Sequence, residues 1–547
     1  MDKLTPNPAN SVPLTPLTFL ERAAVAYADS RSILDDQTSF TWSQTYRRCL
    51  QLASSLTSIG LGRGQVISVL SPNTPSMYEL QFAVPMCGAV LNNLNLRLDP
   101  HTLSVLLRHS ESKLVFVHSQ SLSLILSALS KFHQTTPRPS LVLITDDADA
   151  VAVAHAIDTY EGLLSKGDPN FNWLRPNSEW DPITLNYTSG TTSSPKGVVH
   201  SHRATFIMAL DSLMDWCVPK QPVYLWTLPM FHSNGWGFVW GIAAVGGTNV
   251  CTSKINAPII YRSIESYKVT HLCAAPVVLN MLLTRTEPVK NPVHVLTGGS
   301  PPPAPVLARA EELGFVVSHG YGMTETLGVV VSCSWKREWD RLPAMERARL
   351  RARQGVRTAA VAEMDVVDPA SGVSVKRDGA TSGEVVVRGP CVMMGYLKDS
   401  EGTRRCIREN GWLYTGDVGV LHGDGYLEIK DRSKDVIISG GENVSSVEVE
   451  AVVYAHPAVS HAAVVGRPDE FWGETPCAFV ELKEGLERRP TEEEVVGFCR
   501  ERLAHFMVPK TVVFKEALPK TPTGKILKHV LRKEARGMGS LAIRSRM

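Results

Sequence analysis

As far as about residue 400, short apolar runs rich in valine and isoleucine alternate with longer stretches whose apolar residues recur at helical spacing. A strand that reads as a continuous apolar run must be covered on both faces, and helices of this period are what cover it. The pattern therefore restricts the chain to α/β layers around parallel sheets. Residues 66–70 read as such a strand ahead of a helix over 77–87; 113–118, 140–145 and 294–297 read as further strands, the last running into Gly298-Gly299. In such layers ligands collect at the carboxyl ends of the strands.

The pattern changes near Asp424-Gly425-Tyr426 and the charged run Lys430-Asp431-Arg432-Ser433-Lys434-Asp435. Beyond it, Ser445-Ser446-Val447-Glu448 and Thr491-Glu492-Glu493-Glu494 have capping-box form and predict helix starts, with strand-like runs at 462–465 and 478–482 between them. A length of 547 residues with 44% hydrophobic content exceeds one ordinary core. We expect a large domain over 1–430, a junction at 431–434 and a small α+β domain over 435–547.

With 56 basic and 54 acidic side chains there is no nucleic-acid footprint, and the arginine-rich stretch 341–357 reads as a solvated helix or loop. Ten cysteines stand singly without a Cys-x-x-Cys pair, which suits a reducing compartment and argues against a cysteine zinc site. His200 and His202 have no third ligand nearby in sequence and read as satisfied or exposed histidines. No apolar run is long enough to span a bilayer, and the first residues lack a signal core, so a soluble protein is expected.

Within this frame, Tyr187-Thr188-Ser189-Gly190-Thr191-Thr192-Ser193-Ser194-Pro195-Lys196-Gly197 concentrates hydroxyls, glycine and one lysine. Gly190 lets backbone approach closely, Thr188, Ser189, Thr191 and Thr192 supply donors, and Lys196 adds a point charge, a composition suited to a polyphosphate such as that of ATP. A Walker loop would need Gly at 195 and Ser or Thr at 197, so a P-loop NTPase is disfavoured. A plain Ser/Thr linker is the alternative for this segment alone. Gly298-Gly299-Ser300-Pro301 and His319-Gly320-Tyr321-Gly322-Met323-Thr324-Glu325 place glycines after strands, where backbone can lie against a flat base, and Glu325 is a candidate Mg²⁺ ligand. Asp417, in Tyr414-Thr415-Gly416-Asp417, can accept ribose hydroxyls, and Arg432 adds a planar donor fork.

Together with Pro229-Met230-Phe231-His232, Ser439-Gly440-Gly441-Glu442-Asn443 and Pro522-Thr523-Gly524-Lys525, these segments resemble the acyl-adenylate-forming superfamily of acyl-CoA ligases, luciferases and peptide-synthetase adenylation domains, over nearly the whole chain. The resemblance implies a large N-terminal domain of two doubly wound sheets plus a distorted β-barrel, and a small mobile α+β C-terminal domain. It implies ATP, Mg²⁺ and coenzyme A, with an acyl-AMP intermediate. It makes Lys525, His232 and Glu325 catalytic, Lys434 the hinge, and Ser439, Gly440, Gly441 and Trp472 the CoA-binding group. By position, His232, Gly235, Trp236, Gly299, Gly320, Gly322, Met323 and Leu327 form the acyl pocket.

His232 stands where amino-acid adenylation domains place an aspartate, favouring an unsubstituted acid, and a non-enzymatic relative would have lost Lys525 or Glu325. The segments Trp335-Lys336-Arg337-Glu338-Trp339 and Ala275-Pro276-Val277-Val278-Leu279-Asn280 resemble the plant acyl-activating group, which spans benzoate and cinnamate ligases and short- or medium-chain acyl-CoA ligases. A glycine-lined slot beside Trp236 leads us to expect an aromatic monocarboxylate, with a short or medium fatty acid as the alternative. The terminal Ser545-Arg546-Met547 resembles a peroxisomal address read by an import receptor, so peroxisome is expected over cytosol.

Overall fold

The computed structural model describes residues 6–145, 155–188, 195–298, 304–432, 434–440, 442–520 and 526–541. By compactness the chain divides into one unit of residues 1–352, 357–363 and 388–413 and another of 353–356, 364–387 and 414–547.

The first unit holds two sheets flanked by helices. In one, Val66–Leu70 lies between Val90–Asn93 and Leu114–His118, all parallel, with Ser140–Ile144 and Asp158–Thr159 beyond and Pro182–Tyr187 on the other flank. Chain order thus departs in both directions from Val66–Leu70, the doubly wound pattern. Gly197–Ser201 and Gly395–Tyr396 complete that edge with antiparallel pairing. In the other, Val223–Leu225, Thr248–Val250, His271–Ala274, Val293–Thr297 and Phe315–Gly322 run parallel, and Val329–Ser332 turns back against Phe315–Gly322.

Helix Pro75–Met86 is buried from Ser76 onward, so no amphipathic stripe marks it. It starts where Thr74 accepts from the Met77 amide and Pro75 supplies the preset φ of a first turn. Burial on every side forces its polar residues to find partners within the protein. Glu79 does so with Arg48 at 2.6 Å and Tyr160 at 2.7 Å. Gln81 Oε1 accepts from Asn93 at 3.0 Å and Asn234 at 2.9 Å, and Asn234 in turn accepts from Asn186 at 2.7 Å. Arg347 and Arg351, expected to be solvated on helix Ala344–Ala352, instead converge on Glu311 of helix Ala304–Glu312.

The second unit holds a four-stranded sheet of Glu363–Val367, Gly383–Arg388, Leu413–Leu421 and Leu427–Arg432, which stands in the place of the distorted barrel. Its other sheet carries Val459–Asp469 and Gly473–Leu482 as a long antiparallel pair, with Ile437–Ser439, Glu442–Val444 and Thr511–Lys515 beside them. Helices begin where expected: Ser445 accepts from Glu448 N, and Thr491 with Glu494 forms a complete capping box. The apolar clusters of this last sheet draw, among the described residues, only on positions from Ile437 onward.

Candidate active site

The polyphosphate-type segment joins two antiparallel strands, Pro182–Tyr187 and Gly197–Ser201, paired Tyr187 to Gly197. A Walker loop runs from strand to helix, so the topology agrees with setting that class aside. The Thr188 amide donates to the Lys196 carbonyl at 3.0 Å, extending the strand pairing by one bond. Ser189, Gly190, Thr191 and Thr192 lie outside the described residues.

The Lys196 ammonium stands 4.4 Å from the centre of the Tyr396 ring. The Tyr396 hydroxyl donates to Glu325 Oε1 at 2.7 Å. Burial, and then the negative charge of Glu325, push the phenol's pKa up, so it stays protonated and remains a donor. Glu325, 7% exposed, sits on the one-turn segment Thr324–Thr326 that follows strand Phe315–Gly322, and its carbonyl accepts from Met393 N at 2.8 Å. The Thr326 hydroxyl bonds across this turn to Met323 and Gly328, and Leu327 closes it with φ +63°.

His200 meets the Thr324 carbonyl through Nε2 at 2.8 Å, and burial pushes its pKa down to about 4. The neutral ring is thus a donor to the segment that carries Glu325. His202 is likewise held near 4 by burial and meets Thr15 at 2.9 Å. Both are buried histidines: His202 is paired as the sequence suggested, whereas His200 is held through Nε2 while its buried Nδ1 has no hydrogen-bond partner among the described residues.

His232 ends the loop Pro229-Met230-Phe231-His232, which buried Asn73 pins by donating to the Trp226 and Leu228 carbonyls and accepting from Met230 N. The next five residues, Ser233, Asn234, Gly235, Trp236 and Gly237, all have positive φ between +44° and +83°. Trp236 is buried, and a Cβ placed on Gly298 would lie 3.2 Å from its indole. At Gly235, Gly320 and Gly322 the absent side chain makes room for protein instead of a slot. A Cβ at Gly235 would meet Trp226 at 2.5 Å, one at Gly320 would meet Val329 at 2.5 Å, and one at Gly322 would run into the Gly328 carbonyl. These glycines are demanded by strand and turn packing. Gly299, Ser300 and Pro301 lie outside the described residues, while His319, Tyr321 and Met323 follow the same strand end as Gly320 and Gly322.

In the second unit, Asp417 and Arg432 are cross-strand partners, and Arg432 Nε lies 2.9 Å from Asp417 Oδ1. Asp417 is buried; beside it in the same strand Gly416 takes φ +72°, and its amide donates to Glu384 at 2.9 Å. Lys434, its pKa pushed down first by burial and then by Arg432, has its carbonyl bound by Arg532 of helix Lys528–Gly537, which also pairs with Asp435.

Ser439 and Gly440 form a turn on which Trp472 packs. The Gly440 amide donates to the Trp472 carbonyl at 2.8 Å, and a Cβ on Gly440 would meet the indole at 2.5 Å. The indole remains 42% exposed. Gly441 and Lys525 lie outside the described residues; the segment bearing Lys525 is flanked by a bridge between Lys520 and Ile526.

Among the described residues no group of three or more His, Cys, Asp or Glu side chains could hold a metal ion. The single nearly buried carboxylate of Glu325 has the donor chemistry that suits Mg²⁺, which takes most of its ligands from phosphate and water. Tyr396, Asn73 and Gln81 were not singled out in the sequence, and His200 was read there only as a satisfied or exposed histidine, because each acts through a partner distant along the chain.

The AMP-binding enzyme family matches residues 20–397, and the AMP-binding enzyme C-terminal domain matches 448–525. Over 98% of this chain and 97% of its own length, "Probable CoA ligase CCL11" of Humulus lupulus is 64% identical. From the same plant, "2-methylpropanoate--CoA ligase CCL4" is 62% identical over all of both chains. "Probable acyl-activating enzyme 5, peroxisomal" of Arabidopsis thaliana is 61% identical over all of both chains. Among solved structures, the o-succinylbenzoate CoA synthetase of Bacillus subtilis with its acyl-adenylate superposes with TM-score 0.79 at 26% identity, covering 94% of this chain and 97% of that one. An anthranilate CoA ligase with anthranoyl-AMP gives 0.83 at 24% identity over 96% and 98%, a likeness of fold. With both parts matched in order and relatives aligned end to end, the chain belongs to the AMP-binding enzyme family.

Proposed function

We propose that this chain joins a short aliphatic monocarboxylic acid to CoA through an acyl-adenylate, converting ATP to AMP and pyrophosphate. It is an enzyme of the AMP-forming acid–thiol ligase class. The observation that carries the reading is the grouping of Lys196, Tyr396 and Glu325, with Lys196 bonded through its carbonyl to the Thr188 amide. A cation and a carboxylate held by one half-buried phenol are the two charges a polyphosphate–magnesium substrate requires.

In the first step a carboxylate oxygen forms a bond to the α-phosphorus of ATP while the bond to the β-phosphate oxygen breaks, releasing pyrophosphate. Charge grows on the oxygens of the leaving group, where Lys196 answers it; Lys525 adds a second ammonium. Glu325 would hold Mg²⁺, which supplies charge neutralisation of the phosphates. Asp417 receives ribose hydroxyls beside Arg432. In the second step the CoA thiolate sulfur attacks the acyl carbon and AMP departs, with the Gly440 turn and Trp472 lining the thiol's route.

The acid follows from two supports. The full-length relative at 62% identity is named for 2-methylpropanoate. The aromatic reading loses its main footing, because Gly235, Gly320 and Gly322 are backed by Trp226, Val329 and Gly328. A panel of 2-methylpropanoate, butanoate, hexanoate, benzoate and cinnamate, read as pyrophosphate release and thioester mass, tests this. We expect kcat/KM for the four-carbon acids to exceed that for both aromatic acids at least tenfold, about 1.4 kcal/mol of transition-state preference. The reverse ranking restores the aromatic acid. We place the enzyme in the peroxisome, supported by the name of the 61% identical relative; a diffuse signal from a fluorescent fusion with an unmodified C-terminus would retire that placement.

A further inference from the structure

The backbone from Ser233 to Gly237 is held in the left-handed region at every residue, with φ +45°, +44°, +53°, +54° and +83°. Three of the five carry side chains that disfavour it, so such a run persists only where its surroundings over-determine it. They do so here from several directions. Asn234 donates to Gln81 at 2.9 Å and accepts from Asn186 at 2.7 Å, all three side chains being fully or almost fully buried. The Ser233 hydroxyl donates to the Leu327 carbonyl at 3.2 Å, and Ser212 donates to the Trp236 carbonyl at 3.4 Å. Gly235 is boxed in by Trp226.

The turn fixes the indole of Trp236, only 8% exposed, edge-on against Gly298, where strand Val293–Thr297 ends. That is the carboxyl end of a parallel strand, the side on which ligands of such sheets bind. His232 immediately precedes the turn, and the parallel strand Phe315–Gly322 ends alongside, in register Thr297 to His319.

We propose that Trp236 is the wall that limits acyl length: an indole that cannot swing away, filling the space a longer chain or a ring would need and admitting only short, including branched, aliphatic acids. The proposal rests on the reading of the chain as a carboxylate-activating enzyme and names the residue that sets its substrate class. Gly320 and Gly322 offer no relief, since the space a side chain would take there is filled by Val329 and Gly328.

The experiment compares the wild-type chain with Trp236→Ala, measuring pyrophosphate release with 2-methylpropanoate, hexanoate and benzoate. One methylene in an apolar pocket changes discrimination by about 10- to 200-fold. We expect the hexanoate to 2-methylpropanoate ratio of kcat/KM to rise at least tenfold in Trp236→Ala, with benzoate gaining as well. Should that variant not fold, as judged by thermal melting, Trp236→Leu and Trp236→Phe replace it, and the ratio should rise with the volume removed. A ratio unchanged within threefold in a folded variant overturns the proposal, as does a wild type that already prefers hexanoate or benzoate. Adenylation of the expected acids without thioester formation would count against the ligase reading alone, since the wall is read in the first half-reaction. No adenylation of any acid by the wild type overturns both.

Discussion

Tyr396 donates to Glu325 and lies beneath the ammonium of Lys196, so one side chain sets the spacing between a carboxylate and a cation. A hydrogen bond to a charged group contributes about 1.5–3 kcal/mol. Tyr396→Phe keeps the ring and loses the bond, and should lower kcat/KM for pyrophosphate release by about 10- to 100-fold with thermal stability little changed. Wild-type kinetics in that variant would remove the phenol from the site. His200 works one shell out, on the carbonyl of Thr324. Its folded pKa, near 4, lies below the unfolded value of 6.5, so between those values the unfolded chain binds a proton the native chain does not. Stability therefore rises with pH across that window and falls on acidification, by about 1.4 kcal/mol per pH unit for this group. His200→Gln should flatten the slope of unfolding free energy between pH 4.5 and 6.5 by about that much, measured by denaturant titration. An unaltered slope would mean the ring is protonated in the native state.

Among elements, the turn at Gly440 is exacting, because a left-handed residue there also abuts an indole. Gly440→Ala carries a backbone cost of roughly 1–2 kcal/mol and must displace Trp472. We expect adenylation near the wild-type rate and thioester formation slowed about tenfold or more, a loss of at least 1.4 kcal/mol in the second barrier. Equal effects on both half-reactions would remove the turn from the CoA route. Such elements were partly legible in advance. The strand 66–70 announced itself by an apolar run interrupted only by Ser68, and the helices after Ser445 and Thr491 by their caps. Helix Pro75–Met86 was found without any hint of Glu79 and Gln81 inside it, since burial on all sides erases the periodicity that separates core from surface. Motif residues such as Glu325 and Asp417 could be read from their neighbours in sequence. Tyr396 could not, because its partner Glu325 lies 71 positions away, nor could His200, whose partner Thr324 is 124 away. The glycines were recognised and their cause was not: their neighbours Val329 and Trp226 are revealed only by three-dimensional packing.

For the whole molecule, Lys525 belongs to the second unit and Lys196 to the first. We expect Lys525→Ala to cut pyrophosphate release about 100- to 1000-fold, the usual size for removing one charge-stabilising donor, while supplied acyl-AMP is still converted to thioester. Loss of both half-reactions together would end that division of labour. The chain passes between the two units five times, at 352/353, 356/357, 363/364, 387/388 and 413/414, so a cut at any of these points would leave at least one unit missing a stretch. The stretch from Ile437 onward is different, because among the described residues its apolar clusters borrow nothing from earlier positions. Its hydrogen bonds to the strand before it are few: the Asp431 carboxylate receives the Ser446 amide at 2.7 Å and the Ser446 hydroxyl, and the Lys430 carbonyl receives the Ser445 hydroxyl at 2.5 Å. For recombination this makes the terminal segment an exchangeable cassette: a gene crossover just after Arg432 would carry a foreign terminal segment onto this body, provided the recipient keeps an aspartate at 431 to greet the incoming serine.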